Sequence, residues 1–118
     1  MVRPEFGVYV PIFCGGPWLY RDFPLYKKID WNRTRKFATL CETLDFDSLW
    51  VIDHLIYGRA PILECWTILT YLTAMTQKIR IGAMVLCNLH GLPQLTAKMS
   101  SALDFLSNGR LEFGYGAG

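Results

Sequence analysis

Four short runs, 6–10, 48–52, 79–86 and 111–115, carry mostly apolar, β-branched or aromatic side chains. Short runs without polar alternation fit strands buried on both faces. Between them the apolar positions recur at helical spacing. A first helix is predicted over 31–44, with Asp30 as its N-cap and Thr34, Phe37, Ala38, Cys41 and Leu44 on one face. A second is predicted over 61–75, with Pro61 suited to the first turn, and a third over 93–106, with Leu95, Met99, Ala102, Leu103 and Leu106 as its stripe. Asn108-Gly109 follows, and Gly109 can take the left-handed conformation that ends a helix.

The resulting order is β-α-β-α-β-α-β. Such alternation means a parallel sheet covered by helices. The nearly even spacing of the last three strands fits the first half, about four β/α units, of a (β/α)8 barrel. A small open, doubly wound sheet is the alternative on pattern alone. The second helix is apolar on nearly every side, from Ile62 through Trp66, Leu69 and Tyr71 to Met75. A helix of that kind must be buried all round, one side against the sheet and the other by a second subunit or by missing parts of the same fold. The connection 11–30 is long and holds Trp18, Tyr20, Phe23 and Tyr26. Its aromatics suit either a pocket mouth or plain packing.

Composition adds limits rather than identity. At 118 residues and 52% apolar, the chain supports one well-filled domain and excludes disorder. A net charge of +2 with scattered basic residues gives no nucleic-acid patch. No apolar segment is long enough to span a bilayer, and no signal region opens the chain, so a cytoplasmic protein is expected by default. Cys14, Cys41, Cys65 and Cys87 lack the spacing of a zinc or redox pair and read as reduced thiols.

Candidate chemistry gathers where parallel strands end. Asp53 and His54 follow the second strand, and the carboxyl ends of strands make the active-site rim of parallel α/β folds. Imidazole titrates near neutrality, and a neighbouring carboxylate can orient a ligand or a second side chain. The competing reading makes Asp53 a turn cap and His54 an ordinary loop residue. Cys87 and Asn88 end the third strand. The Asn88 amide both donates and accepts, which suits a planar heterocycle, while Cys87 reads equally as filler. His90 is expected at the surface. Gly114, Gly116 and Gly118 alternate at the fourth strand. They permit either close approach of a ligand or tight packing between strands. They lack the spacing of a dinucleotide fingerprint.

Three ordered segments together resemble one family. These are Asp45-Phe46-Asp47-Ser48-Leu49-Trp50-Val51-Ile52-Asp53-His54, the strand Ile79 to Asn88, and Lys98 to Gly118 with Leu103-Asp104, Ser107-Asn108-Gly109-Arg110-Leu111 and Gly114-Tyr115-Gly116-Ala117-Gly118. They are similar to the luciferase-like monooxygenase family, and the likeness covers nearly all of the chain outside 14–30. Asp45 stands where the family usually has glycine, a mild departure because aspartate tolerates a left-handed turn.

The resemblance implies a (β/α)8 TIM barrel that binds FMN or coenzyme F420 at its C-terminal rim. It implies that residues 1–118 are one partial domain, the N-terminal half of the barrel, truncated at the C-terminus. It implies a flavin- or F420-dependent oxidoreductase or monooxygenase acting on a small-molecule substrate, with His54 as the catalytic proton donor or acceptor. Asp53, Met84, Val85, Cys87, Asn88, Ala117 and Gly118 are implied to line the cofactor site, with a non-prolyl cis peptide at Met84-Val85. A homodimer through the second and third helices is implied as well. The rival expectation is a non-catalytic half-barrel fragment or assembly module, since a four-stranded half barrel leaves two edges unpaired.

Overall fold

A computed structural model describes residues 3–12, 29–56 and 61–117. The expected connection 11–30 and Gly118 therefore fall largely or wholly outside the described residues. Strands β1 (Gly7–Tyr9), β2 (Ser48–Val51), β3 (Arg80–Ala83) and β5 (Leu111–Glu112) form one parallel sheet in the order β1-β2-β3-β5. A second parallel pair, β4 (Leu86–Cys87) with β6 (Tyr115–Gly116), extends the third and fourth strands at their carboxyl ends. Each strand lies beside the one before it in the chain. That is the winding of a barrel, because a doubly wound sheet reverses its order at a switch point.

Pleating sorts the side chains into two faces. Val8, Leu49, Ile81 and Leu111 share one row, and Leu49, Val51, Ile81 and Ala83 are all but fully buried. They pack in one core with Ile68, Leu69 and Leu72 of helix α2 (Cys65–Met75). Burying a leucine fully is worth about 1.5–3 kcal/mol, so this layer dominates the stability of the sheet. The alternate row holds Tyr9, Trp50, Gly82 and Glu112. The Trp50 indole reaches from Gly7 to Gly82, and a Cβ on Gly82 would lie 2.7 Å from Trp50 Cζ3. Below it, Arg80 pairs with Glu5 and with Glu112 (2.7 Å), and Arg3 pairs with Asp47.

Helix α1 (Trp31–Thr43) begins where Asp30 accepts the Arg33 amide, and it buries Thr34, Ala38 and Cys41. Leu44, expected on the same face, is the exposed C-cap. Helix α2 starts four residues later than the expected Pro61. Both oxygens of the Glu64 carboxylate turn back onto the Trp66 and Thr67 amides (2.8 Å each), so Glu64 satisfies the orphan donors of the first turn. Ahead of it Leu63 is tied to the Ile12 carbonyl (3.0 Å). Helix α2 packs one side against the sheet, as expected, and its other side is open in this chain. Tyr71 and Ala74 are exposed, and Tyr71 meets Trp31 edge-on at 4.6 Å. Helix α3 (Pro93–Leu106) has the expected bounds. Of its apolar stripe only Leu103 is buried, whereas Leu95 and Leu106 are 54% and 64% exposed.

The runs 79–86 and 111–115 are each divided rather than continuous. The third strand is interrupted at the cis peptide Met84-Val85, and the fourth between Glu112 and Tyr115. Asp45 (φ 57°) and Gly109 (φ 74°) adopt the left-handed conformation, as expected, and Asn108 does so too. Two charged side chains hold the α2–β3 connection. Glu42 Oε1 accepts the amides of Gln77, Lys78 and Ile79 at 2.7–3.0 Å. Arg110 donates to the carbonyls of Thr73, Thr76, Ile79 and Ser107 and to Thr76 Oγ1. Burial pushes the Glu42 carboxyl up, but three amides and nearby Arg110 outweigh it and hold it below the usual carboxylate value. Among the described residues no helix is long and apolar enough to cross a membrane.

Candidate active site at the C-terminal rim

The polar residues singled out in the sequence lie at one end of the sheet, where β2, β4 and β6 finish. Asp53 stands two residues past β2, with its side chain only 6% exposed. Its Oδ2 accepts the Cys87 amide at 2.9 Å and lies 3.2 Å from His90 Nδ1. The carboxylate of one connection thus holds the next connection. His54, the following residue, is exposed at the rim.

Past β3 the chain turns through Met84 and Val85, both about half exposed. Tyr9 Oη donates to Met84 Sδ at 2.6 Å, so β1 supports this bulge from beside it. Val85 also lies against β6. A Cβ on Gly116 would sit 2.5 Å from Val85 Cγ2, and one on Gly114 would fall on the Ala83 carbonyl oxygen. Packing between strands accounts for both glycines. Phe113 and Tyr115 stack at 5.6 Å beyond them.

Cys87 and Asn88 are half-buried as β4 passes into a 3-10 turn (Asn88–His90). Asn88 Oδ1 is a buried atom with no hydrogen-bond partner among the described residues. An unmet buried acceptor costs about 1–3 kcal/mol, so this amide oxygen needs a donor that the described residues do not supply. Ala117 is exposed at the end of the rim. A cavity of about 230 Å³ is bordered by Asp53, Glu64, Trp66, Cys87 and His90. Cys65 is buried nearby, and burial, followed by Asp53 and Glu64, pushes its thiol well up. It is an inert core residue. Among the described residues no group of His, Cys, Asp and Glu side chains has the arrangement of a metal site.

The structure therefore brings Asp53, Cys87, Asn88 and His90 together, sets Val85 beside Gly114 and Gly116, and sets Met84 against Tyr9. His90 is exposed, as expected, but it is more than a plain surface residue. Its imidazole is the second partner of Asp53, with 27% of the side chain exposed. No spacing rule would have found that pair, since 37 positions separate its members.

Comparison with known proteins points the same way. Residues 5–118 match the family model for luciferase-like monooxygenases. The chain is 33% identical over 82 residues to the 5,10-methylenetetrahydromethanopterin reductase of Archaeoglobus fulgidus, a match that takes in 70% of this chain and 23% of that protein. This chain spans about a quarter of that relative's length. Among solved structures, an F420-dependent secondary alcohol dehydrogenase in complex with an F420-acetone adduct superposes with a TM-score of 0.76 at 21% identity. The match covers 99% of this chain and 32% of that one. The oxygenating constituent of 3,6-diketocamphane monooxygenase from Pseudomonas putida, a type II Baeyer-Villiger monooxygenase in complex with FMN, gives 0.70 at 21% identity. There the coverage is 97% of this chain and 29% of the other.

Proposed function

The chain belongs to the luciferase-like monooxygenase family, and from that premise we propose that its C-terminal rim forms part of an FMN or F420 site in an oxidoreductase acting on a small molecule. The observation that carries this reading is Asn88 Oδ1, buried and unpartnered next to the exposed Met84-Val85 bulge. A flavin or deazaflavin ring has a flat apolar body and an imide N–H on its edge. The bulge fits the first and the orphaned oxygen fits the second.

When bound, either cofactor supplies two-electron, hydride-transfer chemistry. The protein's own residues hold and orient. Asn88 would fix the ring edge through Oδ1. Met84 and Val85 would offer apolar contact to one ring face, supported by Tyr9. Cys87 and Ala117 would border the site. Asp53 would act through the connection it holds, by keeping Cys87 and Asn88 in place. His54, exposed at the rim, would give or take a proton during turnover. The exposed apolar side of α3, with Tyr71 of α2, supports a second copy of the chain as its partner.

The test is a titration of the purified chain with FMN and with F420 separately, followed by visible absorbance. A saturable spectral shift with either cofactor is expected. Oligomers that leave both spectra unchanged would favour a non-catalytic half-barrel module instead.

A further inference from the structure

We propose that His90 is a positioning residue: by closing on Asp53 it clamps the 3-10 turn that carries Asn88, and so aims the Asn88 amide. Among the described residues the turn has little else to hold it. It spans three residues, none of them buried, and it has no side-chain cap. Leu89, its one large apolar residue, is 78% exposed, so burial does not anchor it. Isolated 3-10 turns have poor hydrogen-bond geometry and need outside support. Asp53 Oδ2 supplies that support at both ends, through the Cys87 amide before Asn88 and the His90 ring after it. The carboxylate is almost wholly buried, which strengthens a charge-assisted hydrogen bond. Asn88 lies between these two fixings in the chain, and its Oδ1 takes no part in them. The pair therefore sets where that oxygen points without using it.

The cofactor arm of the test rests on the FMN or F420 reading above, and the other arm does not. In ¹⁵N-labelled chain without cofactor, the side-chain NH2 pair of Asn88 is followed by NMR in the wild type, His90→Ala and His90→Asn. Asparagine can place an amide N–H near the position of Nδ1. The clamp requires the Asn88 signals to move or broaden in H90A and to return toward their wild-type positions in H90N. In parallel, FMN and F420 affinities are measured for all three proteins. About tenfold weaker binding is expected for H90A, with recovery in H90N. Asn88 signals unchanged in H90A would overturn the clamp, and so would equal defects in the two variants. If the wild type binds neither cofactor, the function reading fails while the NMR arm still decides the clamp. If H90A does not fold, H90N decides alone: wild-type-like Asn88 signals sustain the clamp, and displaced ones overturn it.

Discussion

Gly116 and Val85 are fitted to each other: a single methyl on the glycine would lie 2.5 Å from Val85 Cγ2. Gly114 is tighter still, because the obstacle there is the Ala83 backbone rather than a side chain that can rotate. Overpacking of this kind costs about 1–3 kcal/mol. Gly116→Ala should fall in that range and Gly114→Ala should cost more. Gly91→Ala serves as control, since its Cβ would meet only Thr96 Oγ1 at 3.7 Å and the backbone there is extended. Urea denaturation of the three variants measures the difference. Equal losses at 91 and 114 would refute the packing account.

Asn88 sets stability against binding. Replacing it with leucine removes a buried acceptor that lacks a donor, so Asn88→Leu should raise the thermal midpoint of the cofactor-free chain. The same substitution should weaken FMN or F420 binding by about tenfold or more. Calorimetry without cofactor and a spectral titration with it check the two halves. A variant that loses stability would mean that Oδ1 has a partner after all.

Glu42 predicts the acid limb of stability. Its folded-state pKa lies below the ordinary glutamate value of 4.5. Its stabilising contribution is therefore complete above that value and is lost as the pH falls through the lower folded-state value. Glu42→Gln keeps an acceptor for the three amides but removes the charge. Stability of E42Q should fall below wild type at neutral pH, and the gap should close as the pH drops below 4.5. Denaturation midpoints measured between neutral and acid pH give the comparison. A gap independent of pH would rule out the charge.

His54 should separate catalysis from binding. Loss of a general acid or base costs about 10²–10⁴-fold in rate. His54→Ala is expected to lower turnover by that order while leaving FMN or F420 affinity nearly unchanged. Steady-state kinetics beside a spectral titration would check it. Unchanged turnover would remove His54 from the mechanism.

Local signals in the sequence were legible wherever a residue acts on its own neighbours. Asp30 caps α1, Pro93 opens α3, and Asp45 and Gly109 take left-handed turns. The strand runs and their order were legible because apolar side chains of a parallel strand mark it regardless of partners. Contacts between distant segments were not. Pro61 suggested a helix start, but a glutamate reaching back over its own first turn placed the start at Cys65. Leu95 and Leu106 show the right periodicity and remain exposed, because periodicity defines a face and says nothing of what covers it. Arg110 and Glu42 both satisfy backbone groups about 30 positions or more away, which no local pattern marks. At the rim, Asp53 and Asn88 were visible as candidates, whereas the turning of Asp53 toward His90 depends on a fold that brings two connections together.

That shared carboxylate also makes the two connections inseparable in any redesign. Exchanging the segment after β2 for one from a relative would leave the segment after β3 without its anchor, and the reverse exchange would strand the carboxylate. Loop grafts on this scaffold should succeed only as matched pairs, and single grafts should show epistasis that neither loop displays alone.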